Sequence, residues 1–204
     1  EWAEKYLIAT FPSRHYDIEQ YPAVKQHLLS FGKERLEQTG KTYIINGEKV
    51  KARKKTSNKW FETQDSISYW EDFDKPKIVW KRVGSILRFC YNNNSALALD
   101  STCFATGINV EFLCCLLNSP MGHYLLKDAP QTGTGDLLIS VQAVEPIMVP
   151  LISEDENKYF IDSLKTIIEG DFESLQKEIN YKVYELYNLS LDEQKYIEQR
   201  ENFS

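Results

Sequence analysis

Apolar and polar positions alternate with a period of two in several short stretches of the chain, a pattern typical of β-strands. Two such runs, within Thr42–Ala52, lie on either side of Asn46-Gly47. An Asn-Gly pair between two β-prone runs is the strongest short-range signal for a β-hairpin. Lys49, Lys51 and Arg53 alternate along the second run. They are therefore predicted to share one strand face, which meets solvent or a polyanion.

The middle of the chain is predicted to be rich in β-structure. A strand is expected at Lys77–Lys81, directly after Pro76, and Gly84 is expected to turn the chain into the next strand. Trp80 lies inside an apolar run, which places it in the predicted core. The further predicted strands are short and are separated by turn residues: Ile86–Tyr91, Ala96–Leu99, Thr102–Ala105, Leu137–Val141 and Val144–Val149.

Near the amino terminus, helical spacing replaces the alternation. Pro22 suits the first turn of a helix, because a proline lacks only an N–H that would have no partner there. Val24, Leu28 and Phe31 follow at helical spacing and give this helix one apolar face. Gly40 is expected to end it, since glycine readily adopts the left-handed conformation that follows a helix.

Helical patterns return after residue 109 and dominate the tail. Val110–Leu117 and Met121–Leu126 form two apolar helices interrupted by a proline. Further on, Ser153–Glu156 and Ser190–Glu193 are capping boxes that start two more helices. Between the boxes, apolar residues repeat three and four positions apart, as in a helix-packing seam: Phe172, Leu175, Ile179, Val183 and Leu186.

These elements predict the α+β fold class, with a β-rich body and packed helices followed by a C-terminal antiparallel helical hairpin. The body is expected to span residues 1–150. The hairpin and a short terminal helix are expected to span residues 151–204. The hairpin is expected to be acidic and solvated on its outside, with its apolar seam buried against the body or against a domain outside this chain.

Charge is distributed very unevenly along the chain. The net charge is −6, and residues 151–204 alone contribute 13 acids and 6 bases, or −7. By contrast, Lys41–Trp60 holds seven bases and a single acid, Glu48. A lone basic cluster in an acidic chain favours a phosphate backbone as its partner. A solvated basic hairpin is the alternative that charge alone leaves open.

Motifs for catalysis and metal binding are missing from the sequence. No C-x-x-C pair occurs and the three histidines stand apart, so no metal site is predicted. Thr132–Gly135 is rich in glycine but lacks the spacing of a P-loop. Glu156 and Glu193 each begin an E-x-K sequence, which resembles half of a nuclease site, but both are better explained as capping residues. This part of the protein is therefore predicted to have no catalytic residues and no cofactor.

The expected compartment follows from the cysteines and the apolar runs. Adjacent Cys114 and Cys115 lie in an apolar run, which is typical of reduced core thiols in a cytoplasmic protein. No apolar run reaches the roughly 20 residues that span a bilayer, so no membrane association is expected. The sequence carries no signal peptide and does not begin with Met, which predicts a fragment of a longer protein.

Four segments in order resemble the specificity domain of Type IIG restriction–modification enzymes, over about Tyr21–Glu198. They are R-K-K-T-S-N-K-W-F-E from Arg53, K-P-K-I-V-W from Lys75, F-L-C-C-L-L-N-S-P from Phe112, and the segment Ile179–Glu193. In the last of these, Asn180 and Asn188 replace the Asp and Gly that are usual in the family. Each motif alone is loose, and their order makes the match fairly specific.

The resemblance implies a carboxy-terminal target-recognition domain that binds double-stranded DNA. In the family this domain follows an N6-adenine methyltransferase domain that uses S-adenosylmethionine. A restriction endonuclease domain, which needs Mg, often precedes the methyltransferase. The present chain has neither N-P-P-[YF] nor a cofactor glycine loop, so those activities belong to the implied upstream domains.

Charge and expected exposure, rather than the family, predict which residues contact DNA. The lysines are expected to bind phosphates, while Arg53 or Arg88 is expected to pair with guanine in the major groove. Trp60 has two open interpretations, stacking on a base or packing under the hairpin. The complete predicted set is Lys49, Lys51, Arg53, Lys54, Lys55, Lys59, Trp60 and Arg88.

The sequence is also compatible with a second functional class. The seam of the C-terminal helices would also suit a protein-interaction module, in which the helical hairpin docks on a partner and the basic loop is incidental.

Overall fold

The computed structural model describes residues 4–98, 100–170 and 173–201, and it shows an α+β fold with small antiparallel sheets. The chain divides into two compact units, Glu1–Trp70 and Glu71–Ser204. The predicted division lay at residue 150. In the structure the C-terminal helices instead share the core of the second unit.

The first unit begins with two short 3-10 turns, Pro12–Arg14 and Ile18–Gln20. Helices α1 (Pro22–Leu29) and α2 (Lys33–Leu36) follow. The predicted helix therefore starts at Pro22 as expected, but it breaks long before Gly40. The break lies at Gly32, whose φ of 87° is incompatible with a continuing helix and suits only glycine well.

The predicted hairpin is confirmed in the first unit. Strand β1 (Thr42–Ile45) pairs with β2 (Glu48–Lys51), so that only Asn46 and Gly47 form the turn. Both turn residues have positive φ, 51° and 85°, as a type I′ turn requires. The local sequence therefore sets the register of this hairpin.

The second unit is built on a three-stranded antiparallel sheet in the order β5-β3-β6. Its strands are β3 (Lys77–Lys81), β5 (Phe89–Asn92) and β6 (Thr102–Thr106). Trp80 of β3 is buried as predicted, and its indole Nε1 donates to the carbonyl oxygen of Ile139 at 2.8 Å. A separate antiparallel pair of two-residue strands joins β4 (Val83–Gly84) to β7 (Leu137–Leu138).

Helices α3 (Val110–Leu117) and α4 (Pro120–Leu125) are confirmed, and the two residues between them have separate structural roles. The amide of Asn118 donates to the Phe89 carbonyl oxygen at 2.7 Å and accepts from the Phe89 N–H at 3.0 Å. It therefore satisfies a backbone position on the edge strand β5. Ser119, which is fully buried, caps α4 by accepting a hydrogen bond from the Gly122 N–H.

Two of the predicted strands are wrong. Residues 96–98 have no strand, while Leu99 lies outside the described residues. No strand forms at Val144–Val149 either. Its first residue, Val144, instead ends a single helical turn, α5 (Val141–Val144). Within this region Pro146 removes a backbone donor, and the Glu145 N–H bonds to the Val141 carbonyl oxygen at 2.8 Å. Local helical bonds therefore take the backbone groups that a sheet ladder would need.

The tail forms helices α6 (Glu154–Glu169), α7 (Glu173–Leu186) and α8 (Leu191–Glu201). Both predicted capping boxes are present. The Ser153 N–H donates to the Glu156 carboxylate at 2.7 Å, and the Ser190 N–H donates to the Glu193 carboxylate at 2.8 Å. The pKa of Glu156 is lowered mainly by the bond from the Ser153 N–H, and also by one from the Ser153 hydroxyl. The pKa of Glu193 is lowered mainly by a bond from the Ser190 hydroxyl, and also by the one from the Ser190 N–H. None of the helices in the described part of the chain is long and apolar enough to cross a bilayer.

The seam of the tail faces the core of its own unit. Ile179 and Val183 are fully buried there, and Leu175 and Leu186 pack at its edge. Phe172, also predicted to belong to the seam, lies outside the described residues. The core therefore joins the tail to the sheet and to α3.

A buried polar residue fixes α6 against α3. The Asn157 side chain accepts from the Phe112 N–H at 3.2 Å and donates to the Glu111 carboxylate at 3.2 Å. Glu111 also accepts from the Tyr91 hydroxyl at 2.9 Å, which links the same cluster to β5. Tyr91 is half-buried, and burial together with this bond raises its pKa to about 12.

Lys77 is fully buried in the second unit. Its Nζ donates to the carbonyl oxygen of Phe73 at 2.7 Å and to that of Asn94. Burial lowers its pKa, and the nearby Asp74 partly offsets this effect. Lys77 therefore joins the 3-10 turn Trp70–Asp74 to the end of β5, as a structural cation rather than a ligand-binding one.

The four free cysteines differ in solvent exposure. Cys114 and Cys115 are buried, whereas Cys90 is exposed. Burial raises the pKa of Cys114 to about 12 and also raises that of Cys115. Because the thiolate is the reactive form, we expect iodoacetamide to alkylate Cys90 in the native protein and both buried thiols only after unfolding. Peptide mass spectrometry would contradict this if all three thiols were modified at equal rates.

Candidate nucleic-acid interface

The hairpin of the first unit has two chemically different faces. On the inner face, Tyr43 pairs with Val50 and both are half-buried. On the outer face, Ile44 pairs with Lys49 and Thr42 pairs with Lys51, and all four are exposed. The outer face therefore carries two cations and no acid. Glu48 pairs with Ile45, and both belong to the inner face because side chains alternate along a strand.

Beyond β2, the chain forms a loop whose conformation is fixed from beneath by Gln38. This residue is buried, and its amide Nε2 donates to the carbonyl oxygens of Lys59 and Glu62 at 3.0 and 2.8 Å. Its Oε1 accepts from the Thr56 hydroxyl at 2.6 Å, and its backbone oxygen accepts from the Thr56 N–H at 3.1 Å. One side chain therefore holds both ends of the segment 56–62.

Two more side chains tighten the same loop. The buried carboxylate of Glu62 accepts from the Lys59 N–H at 2.7 Å. Asn58 Nδ2 donates to the carbonyl oxygens of Thr63 and Gln64 at 3.0 and 3.1 Å. The loop is thus closed by internal hydrogen bonds, and it presents its lysines on a defined backbone.

Arg53 does not share the exposed face of Lys49 and Lys51, so that expectation is wrong. It lies past the end of β2 and is half-buried. Its Nε donates to the Leu36 carbonyl oxygen at 2.8 Å, and one Nη donates to the Trp60 carbonyl oxygen. Burial lowers its pKa. The guanidinium therefore holds the loop against α2, whereas the neighbouring lysines are exposed.

Trp60 is half-buried. It is therefore neither a full member of the core nor a fully exposed ring available for stacking. Its ring meets that of Phe61 edge-on, with centroids 5.7 Å apart. Phe61 is the buried member of the pair, and Lys59 lies over its ring at 5.6 Å. Phe61 thus supplies the apolar support of the loop, while Trp60 lies at its edge.

The five lysines of the predicted DNA-contact set are all exposed: Lys49, Lys51, Lys54, Lys55 and Lys59. Among the described residues, no carboxylate forms an ion pair with any of them. The first unit contains 12 Lys and Arg against 9 Asp and Glu, net +3, whereas the second contains 12 against 21, net −9. The five lysines therefore form an uncompensated positive surface on the only unit with a positive net charge.

Arg88 belongs to the second unit, where it is exposed in the segment before β5. A separate open cavity of about 610 Å³ lies in that unit, and Lys127 and Arg200 approach the ring of Tyr124 there at 4.8 and 6.0 Å. Lys127 is paired with Asp128 at 2.7 Å, so the charge at this cavity is partly neutralised. It is a weaker candidate for a polyanion than the lysine surface.

Sequence reasoning located the lysines but missed the side chains that hold them. Gln38 and Glu62 stand in polar segments that carry no periodicity, so no pattern predicts that they are buried. A local signal does exist for Asn58, since its N–H donates to the Thr56 hydroxyl oxygen at 3.0 Å, as in an ST turn.

Comparison with known proteins adds no further assignment. No protein-family model matches the chain, and a search of the curated proteins finds no match. Within the described residues, no group of three or more His, Cys, Asp or Glu side chains is arranged to hold a metal ion.

Proposed function

We propose that this chain recognises a specific sequence in double-stranded DNA and that the first unit carries the contact surface. The observation that carries the proposal is the set of five exposed lysines without acidic partners, on a hairpin strand and a loop closed by internal bonds. Fixed cations lose little conformational freedom on binding and match the regular spacing of phosphates.

The resemblance to the specificity domain of Type IIG enzymes supplies the wider proposal. Under this wider proposal, the chain directs an N6-adenine methyltransferase and an endonuclease that lie upstream in a cytoplasmic parent enzyme. S-adenosylmethionine and Mg would serve those upstream domains and not the present one. The upstream methyltransferase domain is then a second partner besides DNA.

The salt dependence of DNA binding tests the electrostatic basis of the proposal. If all five lysines neutralise phosphates, the slope of log K against log salt is expected to be roughly −4 to −5, at about 0.9 per phosphate. Replacing Lys54 and Lys55 by Gln should reduce the magnitude of that slope by about 2. Fluorescence anisotropy of a labelled 20-bp duplex over a salt series measures both values.

Two matched controls sharpen this experiment. Lys25 and Lys33 lie in the same unit but are paired with Glu19 at 2.6 Å and Glu37 at 3.9 Å, so replacing both by Gln should leave the slope nearly unchanged. Glu185→Gln in the acidic tail should leave affinity equal or slightly higher, because phosphates repel that surface. Affinity without salt dependence, or equal effects of the two lysine pairs, would refute the proposal.

A protein-interaction module remains the second candidate. The seam that suggested it is used within the second unit, but Met148 and Leu151 are 80% and 102% exposed just before α6. Exposed apolar residues of this kind are common at interfaces. The candidate would gain support if replacing both by Ser abolished binding of the upstream domains while DNA affinity stayed unchanged.

A further inference from the structure

The exposed outer face of the hairpin contains an apolar residue next to its two lysines. Ile44 is 75% exposed and lies directly opposite Lys49 in the strand register, with Lys51 on the same face two residues further along. The face contains no acid and its one other residue is Thr42. This places a branched apolar side chain beside both lysines, on a surface whose charge complements DNA.

The backbone beneath this face is held in place. The Ala52 N–H donates to the Lys41 carbonyl oxygen at 2.9 Å, directly beyond the last pair of the hairpin, and Ala52 is buried. On the inner face, the Tyr43 hydroxyl and the Thr39 hydroxyl lie 3.2 Å apart within hydrogen-bonding distance. The outer face is therefore supported from behind, and Ile44 does not need to move to reach a ligand.

The dimensions of the hairpin suit the major groove. That groove is about 12 Å wide and admits a two-stranded ribbon, whose strands are about 4.8 Å apart. The remaining width lets the long lysine side chains reach the phosphates on either side. An uncharged residue on the ribbon face that enters the groove then lies against the edges of the bases.

Ile44 has no hydrogen-bonding side-chain atom, so it can read only an apolar feature. Among the base edges in the major groove, the 5-methyl group of thymine is the apolar one. We infer that the outer face of this hairpin enters the major groove and that Ile44 contacts a thymine methyl group, which makes it a specificity-determining residue. The inference rests on the proposed function and extends it to a particular base.

Uracil provides the test, because it pairs as thymine does and lacks only the methyl group. A pool of random 20-bp duplexes is first selected for binding to the 204-residue chain. The preferred duplex is then prepared with thymine and with uracil at each position in turn. At one position at least, we expect uracil to weaken binding by about four-fold, the value of one buried methyl group.

Ile44→Ser should bind the thymine duplex more weakly and should no longer distinguish thymine from uracil at that position. Ile108→Ala is the matched control, because Ile108 is 94% exposed in the second unit and should keep the full discrimination. Hydrogen exchange at the Ala52 amide shows whether the hairpin of the Ser variant is intact. The salt slope of that variant should equal that of the unchanged chain.

The outcomes separate this inference from the function on which it rests. A selected duplex without thymine, or equal binding of thymine and uracil duplexes with a normal salt slope, would overturn the role of Ile44 and leave DNA recognition standing. Discrimination that survives Ile44→Ser would also overturn it. Salt-independent binding, or no binding by any duplex, would overturn the proposed function itself.

Discussion

Replacing Gly122 by Ala is expected to destabilise the second unit more than replacing any other described glycine of that unit by Ala. A Cβ at this position would lie 2.2 Å from the Leu116 carbonyl oxygen and 2.6 Å from the Leu117 Cα. Both obstacles are backbone atoms in the last turn of α3, so neither can move away as a flexible side chain would. Helix α4 approaches α3 this closely because residue 122 has no side chain.

Overpacking a well-formed core costs about 1–3 kcal/mol and occasionally more. A contact this short with backbone predicts the upper end of that range, or a fall in melting temperature of roughly 6 °C or more. Thermal unfolding followed by circular dichroism measures the effect. Gly133→Ala is the control, because a Cβ there meets no atom within 4 Å. A Gly122→Ala protein that melts within a degree of the unchanged chain would contradict the close approach of the two helices.

Replacing Gln38 by Leu is expected to have a similarly large effect in the first unit. Leucine fills much of the same volume but leaves the Lys59 and Glu62 carbonyl oxygens and the Thr56 hydroxyl without the partner that they have now. Each buried polar group that loses its bond costs about 1–3 kcal/mol. Water can reach some of these groups once the loop loosens, so a loss of about 2–4 kcal/mol is expected.

Amide hydrogen exchange locates the damage. The Thr56 and Glu62 N–H groups donate to the carbonyl oxygens of Gln38 and Lys59. Their exchange should become much faster, while the strand β3 of the second unit should be unaffected. Gln26→Leu on the exposed side of α1 is the surface control and should change neither stability nor exchange by a measurable amount. Unaltered protection at Thr56 in the Gln38→Leu protein would show that Gln38 does not hold the loop.

The same substitution separates charge from preorganisation in DNA binding. All five exposed lysines remain in the Gln38→Leu protein, so the proposed function predicts a nearly unchanged salt slope. Affinity should nevertheless fall, because binding must now order a loop that the folded protein ordered before. A lysine substitution should do the reverse and reduce the slope while leaving exchange at Thr56 unchanged.

Features encoded within a few neighbouring residues were predictable. The hairpin turn follows from Asn46-Gly47, because those residues tolerate the positive φ that a two-residue turn needs. The capping boxes at Ser153 and Ser190 are equally local, since donor and acceptor are three residues apart. Strand β3 was predicted with its exact bounds, and its apolar residues, including Trp80, are buried or half-buried in the core.

Features that depend on distant partners were not predictable in the same way. Val144–Val149 has the composition of a strand, but two prolines and an adjacent helical turn leave it without a pairing partner. The division into units was expected at residue 150, since charge and periodicity change there. The core decides otherwise, because Phe160 and Val183 of the tail are buried with Ile78 of the sheet.

The candidate site shows the same division between local and distant causes. The order of charged residues along the sequence locates the basic cluster, because this distribution can be read without tertiary information. The separation of Arg53 from the lysines required the structure, since its guanidinium bonds to carbonyl oxygens of Leu36 and Trp60, which are 17 and 7 residues away. Gln38 holds the loop across 18 to 24 residues. The sequence therefore determined where the positive charge lies, and the tertiary structure decided which cations are free to contact a ligand, because burial depends on atoms that are distant in sequence.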